Sequence, residues 1–201
     1  MVPGVLQHIS RYILAKLTEE LYKPEYSKSN SSSEVFGTTY GITLIFKSEF
    51  IPIVKYNLPI LSDYIDTALC LDANLFFLNA LILEKNSDVK KHTDTSMARY
   101  NPGKINFPLR VSVLYVDFPE MEGGELCLYK TNSSEIFKKI KPEKGKLLFF
   151  KGTLPHEVTQ ITNIMTPDKG KRLSVVCEQY HVDAEGLIPI TGFSSDLPIK
   201  L

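Results

Sequence analysis

Cysteine is scarce in this chain and too widely spaced to build with. Cys70, Cys127 and Cys177 are odd in number and contain no Cys-x-x-Cys or zinc-finger spacing. Neither a disulfide framework nor a thiolate metal site follows. Single buried thiols in a reducing compartment fit instead, and Cys177, directly after Val175-Val176, suits that reading. Charge of one sign is also missing: 23 Lys+Arg against 23 Asp+Glu leave no global field to recruit nucleic acid or an acidic membrane. The longest apolar run, Asn74–Leu83, is interrupted by Asn79 and is about half the length of a bilayer span. Met1–Ser10 lacks the basic stretch and apolar core of a signal peptide. Together these absences predict a cytoplasmic protein with no membrane partner. Without an internal repeat or a break in composition, residues 1–201 read as one domain, long enough for a substantial core.

Periodicity divides that domain into three parts. In residues 1–74, Val5–Leu21 places Val5, Ile9, Ile13, Leu17 and Leu21 at helical spacing and predicts an amphipathic helix. Ser27–Glu34 is a serine-rich loop, Phe36–Phe46 is β-rich, Glu49–Val54 reads as a further extended segment, and Pro59–Leu71 as a second helix. From residue 75 to 181 eight short strands follow one another: Leu75–Glu84, the segment around His92, Leu109–Phe118, Glu125–Tyr129, Ser134–Ile140, Lys146–Lys151, Glu157–Ile161 and Arg172–His181. Eight short strands punctuated by Gly, Pro and Asn predict a jelly-roll barrel of cupin type, a double-stranded β-helix, mainly β with flanking helices. Residues 182–201 form a tail that Pro189, Gly192 and Pro198 keep irregular.

Within the barrel, His92-Thr93-Asp94 follows the first strand. On extended backbone, residues two apart point the same way, so one imidazole and one carboxylate face one point. His156, after the Gly152-Thr153-Leu154-Pro155 turn, can complete three ligands. Two histidines and a carboxylate with open positions suit a non-haem Fe(II) centre. Taken alone, His156 reads more readily as a turn histidine satisfied by backbone than as a ligand. His8 and His181 read as surface and structural residues. On the last strand, Arg172 and Ser174 share a face with Val176. An arginine directed into a barrel calls for an anion, and its planar fork suits a carboxylate; the alternative is a strand-edge arginine paired with a surface glutamate.

The ordered set His92-Thr93-Asp94, Arg110–Tyr115, Gly123-Gly124-Glu125-Leu126, Lys144–Phe150, His156-Glu157-Val158 and Arg172-Leu173-Ser174 resembles the iron- and 2-oxoglutarate-dependent dioxygenases, in the prolyl 4-hydroxylase-like branch. The resemblance spans Leu75–His181. It implies Fe(II), 2-oxoglutarate and O2 as cofactor and co-substrates, with His92, Asp94 and His156 as catalytic metal ligands. It also implies Arg172 as the clamp for the distal carboxylate and Ser174 as the serine of the Arg-x-Ser signature. Asp94 implies hydroxylation or a related oxidation, because halogenating relatives generally lack this carboxylate. Prolyl hydroxylases proper often carry lysine where Arg172 stands, so the substrate class of that branch is not inherited. The family often has a co-substrate-binding tyrosine nine residues before the first ligand; here that position is Leu83. If Leu83 faces inward then so does Asn79, a candidate contact to the co-substrate or to ordered water, its other reading being a strand asparagine bonded to backbone.

For the substrate, Thr95–Phe107 should overhang the metal, with Arg99, Tyr100 and Asn101 placed to read a polar or anionic group, or Arg99 simply solvated. Asn86–Lys91 and the tail are further lid segments. The expected activity is hydroxylation of a small molecule, such as an amino acid, or of a peptidyl side chain, with conversion of 2-oxoglutarate to succinate. Two rivals share the fold. Balanced charge and the lack of a basic–aromatic stripe argue against a nucleic-acid oxygenase. The coincidence of the triad with Arg172 argues against a non-catalytic binding protein.

Overall fold

The computed structural model describes residues 4–24, 28–29, 39–100, 106–165, 170–188, 190 and 192–195. In chain order the elements are β1 (Gly4–His8), α1 (Arg11–Leu21), β2 (Lys28–Ser29), β3 (Thr39–Lys47), α2 (Ile51–Asn57), α3 (Ser62–Ala68), β4 (Leu75–Leu83), β5 (Val89–His92) and β6 (Arg110–Asp117). They continue with β7 (Met121–Glu122), β8 (Leu126–Tyr129), β9 (Ile136–Ile140), β10 (Lys146–Phe150), β11 (His156–Val158), β12 (Asn163–Ile164), β13 (Arg172–Tyr180), α4 (Ala184–Leu187) and β14 (Phe193–Ser195).

Two antiparallel sheets face each other. The larger runs β1-β10-β6-β13-β4-β3-β14, with β2 on β3; the smaller runs β5-β11-β8-β9. Between them lies an apolar core of Leu81, Leu83, Val111, Val113, Leu148 and Phe150 against Val89, Leu126, Leu128, Ile140 and Val158. The other face of the large sheet is covered by Leu14, Leu17 and Leu21 of α1 and by Val54, Tyr64 and Ile65 of α2 and α3. This explains the sequence of β4, LFFLNALIL: with helices on one side and the small sheet on the other, every residue except Asn79 is buried. Covering both faces removes the usual polar alternation of an antiparallel strand. Among the described residues no helix is long and apolar enough to cross a membrane. All eight strands expected between residues 75 and 181 are present, so the mainly β jelly-roll reading with flanking helices holds.

The support region departs from expectation twice. The predicted helix over Val5–Leu21 begins only at Arg11: the Ser10 side chain accepts from the Ile13 N–H and caps it, while Gly4–His8 pairs with β10 as a strand. A serine N-cap satisfies an otherwise orphaned N–H, and the helix starts there. Glu49–Val54 is not extended but forms a 3₁₀ turn followed by α2. Pro52 sits in the first turn of α2, where its missing N–H costs nothing, and Val54 and Leu58 are buried four residues apart, a helical interval. The tail is less irregular than expected. Asp183 caps α4, β14 pairs with β3, and Ile190 and Phe193 are buried.

Candidate metal centre

β5 and β11 pair antiparallel, with His92 directly opposite His156 and their ring centroids 4.3 Å apart. Each imidazole is oriented by its own backbone. Nδ1 of His92 lies 2.7 Å from the Lys90 carbonyl oxygen, and Nδ1 of His156 lies 3.0 Å from that of Leu154. A ring nitrogen beside a carbonyl carries the proton and donates it, which leaves Nε2 as a lone pair, the arrangement seen behind metal-bound histidines. Both Nε2 atoms face Asp94, at 3.2 Å from Oδ1 for His92 and 3.6 Å from Oδ2 for His156. One ligand atom from each of the three residues lies within 4.8 Å of the others.

Burial sharpens the chemistry. Asp94 and His156 are buried, and Asp94 Oδ2 has no hydrogen-bond partner among the described residues. Burial disfavours the Asp94 carboxylate, yet the two imidazoles outweigh it and hold its pKa below the ordinary value. Burial likewise opposes protonation of both histidines. At His92 the Asp94 carboxylate wins and raises the pKa, whereas at His156 burial wins and lowers it. Three acceptors directed at one point in a largely buried site are mutually unfavourable without a cation among them. The residues present therefore fit a divalent metal. Phe150 closes one side, its ring edge 4.9 Å from that of His156 between centroids.

The same cavity, about 450 Å³, is lined by Arg172, Ser174, Val176 and Glu178 of β13, by Tyr115 of β6, and by Phe77, Asn79 and Leu81 of β4. Arg172 is 1% exposed. Its guanidinium carbon stands 5.2 Å from the centre of the Tyr115 ring, and Nη1 donates to Ser174 Oγ at 3.5 Å. Among the described residues its Nε and the Tyr115 hydroxyl lack a well-formed hydrogen bond, the guanidinium and the phenol interacting only loosely with each other. Burial depresses the Arg172 pKa and raises that of Tyr115. A buried guanidinium without an acidic partner among the described residues is costly, and its Nε together with the neighbouring Tyr115 hydroxyl offers donors to an anion.

Asn79 also lines the cavity. Its Oδ1 accepts from Thr43 Oγ1 at 2.8 Å, so its amide NH2 is what it can offer to a ligand. Arg99 lines the mouth and is exposed. Tyr100 turns its ring toward Phe77, 6.0 Å between centroids, in an apolar cluster with Met97 and Tyr180. Asn101 lies outside the described residues, as do most of Ser27–Glu34 and part of Thr95–Phe107. Lys90 and Lys91 are exposed on β5, and His181 hydrogen-bonds the Asp72 carbonyl oxygen.

Two cavity residues escaped the sequence reading. Tyr115 ends the RVSVLY stretch on the face shared by Val111 and Val113; a tyrosine on the buried face of an apolar strand is the available signal, because its hydroxyl needs a partner. Leu83, where a tyrosine is common in the resembling family, is fully buried in the apolar core. Glu178 stands two residues before Tyr180 on β13 and accepts from Ser96 Oγ at 2.7 Å and from the Tyr180 hydroxyl. Burial and the neighbouring Asp94 push its pKa up to about 8. Its signal is a carboxylate in phase with Arg172 and Ser174.

The model of the 2OG-Fe(II) oxygenase superfamily matches residues 77–177, slightly more than half of the chain. Similar solved structures include a prolyl-4-hydroxylase from Pseudomonas putida (TM-score 0.57, 17% identity, covering 90% of this chain and 93% of that one). Another is a prolyl hydroxylase from Trichoplax adhaerens in complex with a hypoxia inducible factor oxygen degradation domain peptide fragment (0.57, 15%, covering 94% and 87%). A third is the viral collagen prolyl hydroxylase of Paramecium Bursaria Chlorella virus-1 in its 2OG complex (0.54, 14%, covering 91% and 97%). At these identities the likeness is one of fold. No curated protein matches the chain in sequence.

Proposed function

This chain belongs to the 2OG-Fe(II) oxygenase superfamily, and we propose that it hydroxylates a small molecule, such as an amino acid, or a peptidyl side chain. One observation carries the reading: a three-acceptor cation site and a buried arginine without an acidic partner among the described residues open into the same cavity. In this reading His92, Asp94 and His156 hold Fe(II) and leave its remaining positions open. Arg172 holds the distal carboxylate of 2-oxoglutarate, with the Tyr115 hydroxyl and Ser174 beside it, and the Asn79 amide donates to the same molecule. When bound, the iron with 2-oxoglutarate and O2 supplies oxidation of a C–H bond, coupled to conversion of 2-oxoglutarate to succinate and CO2. The protein's part is to orient and to exclude water. The Lys90 and Leu154 carbonyls fix the two imidazoles, and Leu126, Phe150 and Val158 keep the walls apolar. The peptide held by the Trichoplax relative favours keeping a peptidyl substrate in view. Three free thiols, Cys70, Cys127 and Cys177, suit a cytoplasmic location.

The test is direct. Purified protein with Fe(II), 2-oxoglutarate and O2 should slowly form succinate even without prime substrate. His92→Ala should abolish this, and Arg172→Ala should raise the 2-oxoglutarate requirement by roughly tenfold or more, the size of a lost charge-assisted contact. No succinate, together with no binding of metal or 2-oxoglutarate, would sink the proposal.

A further inference from the structure

Among the described residues four charged side chains line the cavity: Asp94, Arg99, Arg172 and Glu178. In the oxygenase reading, on which the following rests, Asp94 serves the metal and Arg172 the co-substrate. Arg99 is exposed at the mouth. Glu178, 4% exposed, is the buried acid left over, and a cation placed against it favours its carboxylate form.

Its position sets it apart from the co-substrate. Arg172 and Glu178 begin and nearly end the row of alternate β13 residues facing the cavity, opposite Leu83 and Phe77 at the two ends of β4. Six residues of extended strand span roughly 20 Å. A five-carbon diacid anchored on Arg172 leaves Glu178 to a different molecule. Ser96, which donates to Glu178 Oε1, follows the metal ligand Asp94 by two residues, so this carboxylate adjoins the metal-binding segment. Glu178 accepts from Ser96 Oγ and the Tyr180 hydroxyl, with the Ser96 backbone N–H as a third donor; the two carboxylate oxygens together offer about four lone-pair sites, which leaves one for a ligand. The walls beside it, Phe77 and Val176, are apolar. In such surroundings a carboxylate strengthens its attraction for a cation and penalises a neutral apolar group placed against it.

We propose that the prime substrate carries a cationic nitrogen, a primary ammonium or a guanidinium, that pairs with Glu178, and that this carboxylate sets substrate specificity. A carboxylate that only fastened the Ser96 turn to the sheet would not distinguish ligands differing in a single charge.

The experiment measures binding without turnover, under argon, to protein loaded with Mn(II) and 2-oxoglutarate. The probes are lysine against norleucine and arginine against citrulline, each free and as the N-acetyl amide. The free and capped forms separate a free amino acid from a peptidyl side chain. In at least one pair the basic member should bind about tenfold tighter or more. Glu178→Gln should bring that ratio close to one, while Glu178→Asp, which keeps the charge, should retain a preference. Equal affinity within every pair, or a preference that survives in Glu178→Gln, overturns the assignment. Failure of the wild-type protein to take up Mn(II) and 2-oxoglutarate strikes the oxygenase reading itself and is recorded before any probe is added.

Discussion

Tyr115 places a phenol hydroxyl in the core, without a well-formed hydrogen bond among the described residues, against the guanidinium of Arg172. An unsatisfied buried hydroxyl costs about 1–3 kcal/mol, so Tyr115→Phe makes two opposite predictions. The ligand-free protein should become more stable by about 1 kcal/mol, a rise of roughly 2–4 °C in Tm for a chain of this size. Affinity for 2-oxoglutarate should fall about tenfold as the carboxylate loses a donor. Thermal melts and calorimetry on the same variant check both. An unchanged affinity would remove Tyr115 from the co-substrate site. At this scale legibility followed the chain. His92, Asp94, His156 and Arg172 were legible from strand phase only together with the resemblance to a known family. Tyr115 and Glu178 matter through groups on other segments, Arg172 and Ser96, and no local pattern announces such partners.

Among the elements, β3 matters most to the cavity without supplying its chemistry. It pairs along its whole length with β4, and its Thr43 holds the oxygen of Asn79. Close pairing depends on Gly41, at φ +144°, where an added Cβ would stand 1.6 Å from the Ala80 carbonyl oxygen. Gly41→Ala cannot be accommodated by a side-chain shift, since the obstacle is backbone. It should cost about 3 kcal/mol or more, read as a shifted urea midpoint, and a loss below about 1 kcal/mol would contradict this pairing. The β elements were easy to read because tight turns separate them. The support region was harder: Glu49–Val54 is apolar at intervals that suit strand or helix, and tertiary burial of Val54 and Leu58 decides for helix. The strand before α1 was hidden because Val5 and Ile9 continue the helical spacing, although β1 exists only through its pairing with β10.

Across the molecule, the site is the space between two sheets. The small sheet and the segment that follows β5 supply His92, Asp94 and His156; the large sheet supplies Arg172, Ser174, Tyr115, Asn79 and Glu178. A ligand joined to the metal at one end and to Arg172 at the other would tie the sheets together, so metal and co-substrate should bind as a linked pair. Anaerobic titration calorimetry tests this most directly. The account predicts one Fe(II) or Mn(II) per chain, 2-oxoglutarate binding that requires the metal, and loss of both in Asp94→Ala. Binding of 2-oxoglutarate at full affinity without metal, or a full metal complement in Asp94→Ala, would contradict it.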